Sequence, residues 1–434
     1  MSKTIGFLFL LFAFPFICFS QTFPLSMEEL FKKGVEKSLS IQSAQLELYM
    51  SGDKVSIAKD KYLPDIQLNG QFGFVGQPTV LNKDLSYMSH PVTPDWQQSY
   101  QVSAIQPIYE GGRIRNTVEK TELEHKAEGL GLLKSKSAVK LKLAGIYLSL
   151  CNLYQQQDIY HHYIEEAKVR VKNIRKMHEE GTVTSNDVLR SEIQQSDYEL
   201  AYKEIANNIS IASQQLAIAM GMDETLLFVP DTTVLNQSPL VSNMEDYLSR
   251  AYTSNLDLEL SKVRTDIAKK ELNITKGGFL PSLSFVATNS LQRPIPYIAP
   301  TQDYFLNTWV MALKLSYTPS NLFSRKRVLS EAHYKISSQQ LAEELQKQSI
   351  RMEVKVFYTH YIEALDRLHA LEHTSLQSQD NYRIVDKKYF NQLAILTDLL
   401  DANLVRLNTT LELTKAKVNA AYAYYQLLDL CGEL

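Results

Sequence analysis

Four short segments of this 434-residue chain alternate apolar with polar residues, and they limit what the chain can fold into. Alternation with a period of two predicts β-strands that are apolar on one face and polar on the other. We expect these strands near residues 66–76, 98–108, 283–292 and 306–317. The only charge within their core segments is Lys314, which falls on the polar face.

This pattern is typical of strands that have lipid on one side and water on the other, over the roughly ten residues that a tilted membrane strand needs. Four strands cannot close a barrel, because the smallest closed barrels have about eight. An open edge in lipid leaves backbone groups without partners. We therefore expect several copies of the chain to share one barrel, with Lys314 facing its interior. The alternative is a soluble sheet with one wet face.

The chain repeats one plan twice. Met27-Glu28-Glu29 recurs as Met244-Glu245-Asp246 at an offset of 217, and later landmarks recur at an offset of 211. Self-similarity of this kind is the signature of a duplicated structural unit. We predict a first repeat over 21–230 and a second repeat over 231–434.

Each repeat is predicted to contain a helix, two strands, a very long helix, a turn and a further helix. The long helices are expected over 111–178 and 324–390, and their partners over 185–220 and 396–431. Their apolar residues recur alternately every three and four positions, which is coiled-coil spacing. A helix over 111–178 would extend about 100 Å at 1.5 Å per residue. An extended soluble coiled coil fits these helices equally well.

The N-terminus predicts export. Residues 1–20 carry Lys3 and then an apolar run, which is typical of a cleavable secretory signal and is too short to span a membrane. Cys18 follows Ile17, where a lipidation site has a small residue, so lipidation is an alternative with little support. Loss of Lys3 changes the formal charge from -3 to -4. A nearly neutral chain of mixed charge does not indicate a nucleic-acid partner.

Enzyme motifs are weak in this sequence. The string His369-Ala370-Leu371-Glu372-His373 has the H-x-x-E-H spacing of one zinc-peptidase class, and two His at i, i+4 can share a metal. It lies midway along a predicted coiled-coil helix with no evident third ligand. We predict no catalytic residue, metal or cofactor, and we keep a zinc-peptidase-like protein as an alternative. Cys151 and Cys431 are too few for a disulfide framework.

Taken in order, these segments resemble the TolC-family outer-membrane efflux proteins over essentially the whole mature sequence. The resemblance implies an α+β membrane protein of two tandem repeats. Each repeat would give a β-hairpin to a trimeric 12-stranded outer-membrane barrel and coiled-coil helices to a periplasmic α-barrel. The residues that carry the resemblance are Leu63-Pro64, Leu280-Pro281, the run 106–113, and the inter-helix turns 181–189 and 396–402.

The resemblance also implies a function. It indicates a channel subunit of a tripartite efflux or type I secretion system in the bacterial outer membrane, extending into the periplasm. Such a channel is a passive conduit for small molecules, metal ions or proteins. The implied partners are two further copies of the chain, outer-membrane lipid, and a periplasmic adaptor (membrane fusion protein). The adaptor would connect the channel to an inner-membrane transporter of RND, ABC or MFS type. A secreted soluble coiled-coil scaffold is the alternative from another class.

Several site residues follow from the same resemblance. Asp398 and Asp401 match an acidic ring that narrows the periplasmic end of the family's tunnel, and their i, i+3 spacing places them on one helix face. Six such carboxylates in a trimer would disfavour joint ionisation and favour cations. Asp187 and Tyr389 match members of a lock that closes this gate, whereas an Arg expected in the second turn is Ala394.

The two turns differ from the family pattern elsewhere as well. A Gly expected three residues after the Tyr is Gln392, whereas the first repeat keeps Gly181 but has His178 in the position of the Tyr. We expect the turns to form the surface that docks the adaptor. Its candidate residues are Gly181, Thr182, Val183, Gln392, Leu393 and Ala394.

Overall fold

The computed structural model of the chain describes residues 22–236, 242–295 and 301–434. The predicted signal segment 1–20, including Cys18, lies outside these residues. Among the helices that are described, none combines the length and the apolarity needed to cross a bilayer.

The described residues form eight α-helices in two matching sets. Helices α5 and α6 begin 217 residues after α1 and α2 and have the same lengths, 11 and 22 residues. The tandem repetition predicted from the sequence is therefore confirmed as a feature of the fold. The first set is α1 (Met27–Lys37), α2 (Leu39–Asp60), α3 (Arg113–Glu179) and α4 (Ser185–Met220); the second is α5 (Met244–Ser254), α6 (Leu256–Gly277), α7 (Asn321–Phe390) and α8 (Leu396–Leu430).

Eight strands accompany these helices in the described part of the chain. They are β1 (Thr22–Leu25), β2 (Asp65–Phe74), β3 (Val80–Leu81), β4 (Tyr87–Ser89), β5 (Trp96–Tyr109), β6 (Leu227–Pro230), β7 (Ser282–Arg293) and β8 (Leu306–Ser316). Strands β1 and β6 pair in parallel, and β3 and β4 form a small antiparallel pair. The four longest strands form one antiparallel sheet in the order β2-β5-β7-β8. Within the described residues, β2 and β8 each have one neighbour, so two strand edges are unpaired.

The register of this sheet keeps apolar and polar side chains on separate faces. Lys314 lies opposite Ser284, whereas Leu313 lies opposite Phe285 on the other face. On that apolar face the rings of Phe72 and Tyr100 meet edge to face, with centroids 5.4 Å apart. Because successive strand residues point to opposite sides, the alternation seen in the sequence becomes a sheet with one largely apolar and one largely polar face.

The chain divides into two compact units. Of the described residues, unit 1 comprises 22–41, 136–236, 242–251 and 353–434, and unit 2 comprises 42–135, 252–295 and 301–352. Each unit takes segments from both halves of the sequence, because the long helices α3 and α7 pass from one unit into the other. The two units therefore do not coincide with the two repeats, and the repeat boundary at residue 230 stays a prediction.

The core of unit 1 is centred on α3. The hydroxyl of the buried Tyr147 donates to the Leu25 carbonyl at 2.8 Å and accepts from the Asp231 N–H at 2.9 Å, which fixes the β1/β6 pair to the helix. One turn further, Cys151 is buried, and desolvation raises its pKa to about 12. Cys151 and Cys431 are both free thiols. Packing holds this unit together.

Candidate functional site

Two turns join the long helices into helical hairpins, and both lie in unit 1. The first turn, residues 180–184, joins α3 to α4 in the first hairpin; the second turn, residues 391–395, joins α7 to α8 in the second hairpin. In both turns an N–H donates to the carbonyl five residues earlier, at 2.9 and 2.8 Å, as in a Schellman motif. These bonds join Thr182 to Met177 and Leu393 to Lys388.

The turns differ at the residue that reverses the helix. Gly181 has φ +75°, and Gln392, which lies 211 residues later, has φ +62°. Glycine adopts this left-handed conformation freely, whereas for a residue with a Cβ it costs roughly 1–2 kcal/mol. The first turn is therefore relaxed, and the second turn is strained at the position where the family pattern has Gly.

The helix that follows each turn is also capped differently. Thr184 accepts from the Asp187 N–H at 3.3 Å while Asp187 accepts from the Thr184 N–H at 2.9 Å, which is a complete capping box. In the second hairpin Ile395 has no side-chain acceptor, and Asp398 accepts from the Ile395 N–H at 3.4 Å. Asp398 thus provides half of a cap, a role that we did not assign to it from the sequence.

Asp398 and Asp401 are both exposed near the start of α8. They lie three residues apart and therefore share one side of the helix. Among the described residues neither forms an ion pair. A single chain thus presents two unneutralised carboxylates side by side, and their gathering into a ring across several copies stays a prediction.

The predicted lock residues lie close to each other without a direct bond. Tyr389 is 4% exposed and packs against Ile174, Leu396 and Leu399. Burial raises the pKa of Tyr389, and the nearby Asp187 carboxylate raises it further, so its hydroxyl stays protonated. That hydroxyl has no hydrogen-bond partner in the part of the chain described here. The Asp187 carboxylate is engaged in the α4 cap, so the lock stays a prediction.

A contact that sequence reasoning missed joins the two hairpins near their turns. The Arg190 guanidinium on α4 donates to the Thr397 hydroxyl on α8 at 2.8 Å. The family's expected Arg is missing from the second turn, where Ala394 stands, yet here a guanidinium reaches the second hairpin from the first. No local signal could have shown this contact, because its two residues are 207 positions apart.

The candidate docking residues form an uneven surface. Gly181, Thr182, Gln392 and Leu393 are exposed, whereas Val183 and Ala394 are half-buried against the Tyr389 cluster. Thr182 uses its hydroxyl to bond the Met177 carbonyl at 2.8 Å. Leu393 occupies the corresponding position of the second turn with 76% of its surface exposed. The first turn therefore presents a polar tip and the second an apolar one.

Two further candidates were named from the sequence. Lys314 is exposed on the polar face of the sheet, and within the described residues it forms no ion pair. His369 lies 3.5 Å from Glu372 in the H-x-x-E-H string. The described residues contain no group of three or more His, Cys, Asp or Glu side chains that could hold a metal ion. The H-x-x-E-H string is therefore not part of such a group among these residues.

Comparison with known proteins gives matches in both sequence and fold. Residues 31–222 match the profile of the family described as "Outer membrane efflux protein". A search of curated proteins gave no match.

Several solved structures share the fold. The outer-membrane channel OprN is 14% identical, with a TM-score of 0.75 over 94% of this chain and 90% of that one. The outer membrane protein VceC from Vibrio cholerae is 17% identical, with a TM-score of 0.72 over 94% and 96%. The open state of the Neisseria gonorrhoeae MtrE outer membrane channel is 16% identical, with a TM-score of 0.73 over 94% and 88%. At these identities the likeness shows the fold alone.

The chain therefore has the fold of an outer-membrane channel subunit, with a two-faced sheet and long paired helices. Its resemblance to the TolC-family outer-membrane efflux proteins, indicated by the sequence motifs, is confirmed by the family profile and by the shared fold. The α+β class with two tandem repeats is confirmed in the same way.

Proposed function

We propose that the chain is one subunit of a homotrimeric outer-membrane efflux channel and acts as a passive conduit. The observation that carries this proposal is the sheet, which has one largely apolar face and, within the described residues, unpaired edges at β2 and β8. In lipid an unpaired edge must find a partner. Strand direction alternates across the sheet, so β8 of one copy runs antiparallel to β2 of the next. Three copies of four strands then give a closed 12-stranded barrel.

In this proposal the apolar face meets lipid of the bacterial outer membrane, and the polar face with Lys314 lines a water-filled interior. The helical hairpins extend into the periplasm. Their turns contact a periplasmic adaptor, with the exposed Leu393 as an apolar anchor of the docking surface. The adaptor connects the channel to an inner-membrane transporter of RND, ABC or MFS type.

The chain performs no chemical step in this mechanism. Energy for transport comes from the inner-membrane partner, which also selects the cargo among small molecules, metal ions and proteins. The gate is the ring that Asp398 and Asp401 form at the inner end, where fixed carboxylates attract cations and repel anions. Asp187, which caps α4, and Tyr389, which packs against Leu396 and Leu399, contribute to its closure by holding the helices beside the two turns in place.

The test is to place one charge on each face of the sheet. Leu68 and Asn69 are neighbours on β2 that point to opposite faces. At mid-membrane an Arg on the lipid-facing side costs about 2–4 kcal/mol, and it costs little on the water-facing side. We expect Leu68→Arg to prevent assembly, whereas Asn69→Arg still forms a detergent-requiring trimer that conducts ions in planar bilayers. Light scattering and bilayer recording measure both outcomes.

Wild-type behaviour separates this proposal from its main rival. A secreted coiled-coil scaffold would wash off membranes and dissolve without detergent. Wild-type protein that stays monomeric in mild detergent, or equal tolerance of Arg at both positions, would contradict the barrel.

A further inference from the structure

A partly buried polar cluster joins the two helical hairpins of one chain, and we name it the hairpin cluster. Its side chains come from all four long helices and lie within unit 1. Its members are Glu166 and Arg170 of α3, Tyr198 of α4, Tyr382 of α7, and Asn403 and Arg406 of α8. None of these residues belongs to the candidate gate or to the docking surface.

Arg406 is the central residue of this cluster. Its guanidinium donates hydrogen bonds to both oxygens of the Glu166 carboxylate, and a further one to the Asn403 side-chain carbonyl at 2.9 Å. Asn403 is fully buried and donates to the Tyr198 hydroxyl at 2.8 Å. Helix α8 is therefore bonded to both helices of the first hairpin.

A second arginine completes the connection. Arg170, only 5% exposed, donates to the Gln194 side-chain carbonyl at 2.7 Å and to the Tyr382 hydroxyl at 3.2 Å. The ring of Tyr382 also lies 3.8 Å from the Arg406 guanidinium, and the ring of Tyr163 lies 4.5 Å from it. Tyr382 thus contacts both arginines, and helix α7 is included in the same cluster.

A cluster of this kind contributes more to fixing the positions of the helices than to the free energy of unfolding. Removing charges from water costs about as much as their attraction returns, so a buried ion pair adds little to folding. Separating the pair is a different matter, because each charge is then left without a partner in a medium of low dielectric constant. The Nε of Arg406 is already buried without an acceptor among the described residues. The cluster therefore specifies one arrangement of the two hairpins.

Arg406 lies on the same helix as the two gate carboxylates. It follows Asp401 by five residues, and because an α-helix turns about 100° per residue, the two side chains point about 140° apart. Asp398 precedes Arg406 by eight residues and points about 80° from it. Arg406 thus bonds α8 to α3, while Asp398 and Asp401 lie at other positions around the helix. Fixing Arg406 fixes the direction in which the carboxylates point.

We propose that Arg406 and Glu166 are positioning residues for the gate. Their ion pair fixes the second hairpin to the first and so sets the width of the acidic ring; without the pair the hairpins are held only by the remaining bonds, such as Arg190 to Thr397, and the ring widens. This inference rests on the proposed function, since it requires that Asp398 and Asp401 line a conducting path. The alternative is that the cluster serves folding alone.

The experiment compares two arginines of the second hairpin in the full-length trimer. Arg406→Met removes the ion pair with Glu166 that joins the two hairpins. Arg367→Met removes an exposed pair with Glu412 that joins α7 to α8 inside one hairpin, and it is the matched control. Single-channel conductance and the MgCl₂ concentration for half-block are measured in planar bilayers. We expect Arg406→Met to raise both several-fold, and Arg367→Met to match the wild type.

Two further variants separate positioning from folding. Glu166→Gln keeps the shape of the side chain and removes its charge, so it tests the inference even if Arg406→Met does not assemble. We expect it to raise the conductance and the MgCl₂ concentration for half-block, but by less than Arg406→Met. In the Asp398→Ala, Asp401→Ala background, Arg406→Met should leave Mg²⁺ block unchanged, because the residues through which it acts are gone. A purely structural role would not depend on that background.

The outcomes are distinct. Assembled Arg406→Met or Glu166→Gln trimers with wild-type conductance and block would overturn the inference and leave the gate assignment standing. An equal shift in Arg367→Met would overturn it too, since any loosening of the hairpins would then suffice. If the wild type forms no conducting trimer, it is the proposed function that fails.

Discussion

The two inter-helix turns have the same backbone hydrogen bonds but different side-chain support. The first turn reverses at Gly181 and starts α4 with the capping box of Thr184 and Asp187. The second turn reverses at Gln392 in a left-handed conformation and starts α8 at Ile395, which has no side-chain cap. The two copies thus have the same chain path, but the glycine and the complete capping box that favour this path locally occur only in the first copy.

Charge differs between the hairpins in the same way. Asp187 and Arg190 of the first hairpin correspond, 211 residues later, to Asp398 and Asp401 of the second. The first hairpin has one charge of each sign where the second has two carboxylates. The second turn therefore depends on contacts with its neighbours, such as the bond from Arg190 to Thr397.

The largest effect is expected from removing the charge that distinguishes the second hairpin. Asp398→Ala with Asp401→Ala should raise single-channel conductance and weaken block by divalent cations several-fold, because fixed carboxylates at a constriction bind cations. Asp197→Ala with Glu204→Ala removes two exposed carboxylates from α4 and is the control. Unchanged conductance and block in the Asp398/Asp401 variant would count against the gate.

A smaller effect is expected from exchanging the caps. Thr184→Ala should destabilise the start of α4 by about 1 kcal/mol, and Ile395→Thr should stabilise the start of α8 by a similar amount, because a hydroxyl at the N-cap accepts a backbone N–H. Amide hydrogen exchange in the first turn of each helix measures the two effects separately. Equal exchange at both helix starts in the wild type would show that the missing cap is compensated by other contacts.

The smallest effect is expected at the residue that reverses each helix. Gln392→Gly should relieve strain, but the greater freedom of Gly in the unfolded chain offsets part of this gain, leaving a stabilisation below about 1 kcal/mol. Gly181→Ala should destabilise by about 1 kcal/mol, since alanine would adopt the same left-handed conformation. Thermal unfolding of the trimers in detergent compares them. A stabilising Gly181→Ala would contradict the comparison of the turns.

The period of two in the strands and the alternating three- and four-residue spacing in the helices were enough to predict most of the fold. Alternation over 306–317 indicated β8, Leu306–Ser316, and placed Lys314 on the polar face, because a strand has only two sides. The capping box at Thr184 and Asp187 could also have been found, since its spacing is visible in the sequence. The hairpin cluster could not: Arg406 and Glu166 are 240 residues apart, and only the folded chain brings them together. The burial of Tyr389 depends on tertiary packing in the same way.

The two strand edges that are unpaired within the described residues have a consequence for the isolated chain. A lone subunit in water presents hydrogen-bonding groups along β2 and β8 and a row of apolar side chains beside them. Such edges pair with any strand that they encounter, which is the route to aggregation. A newly synthesised subunit is therefore prone to aggregate. The yield of soluble subunit depends on how fast these edges are paired or covered by a chaperone.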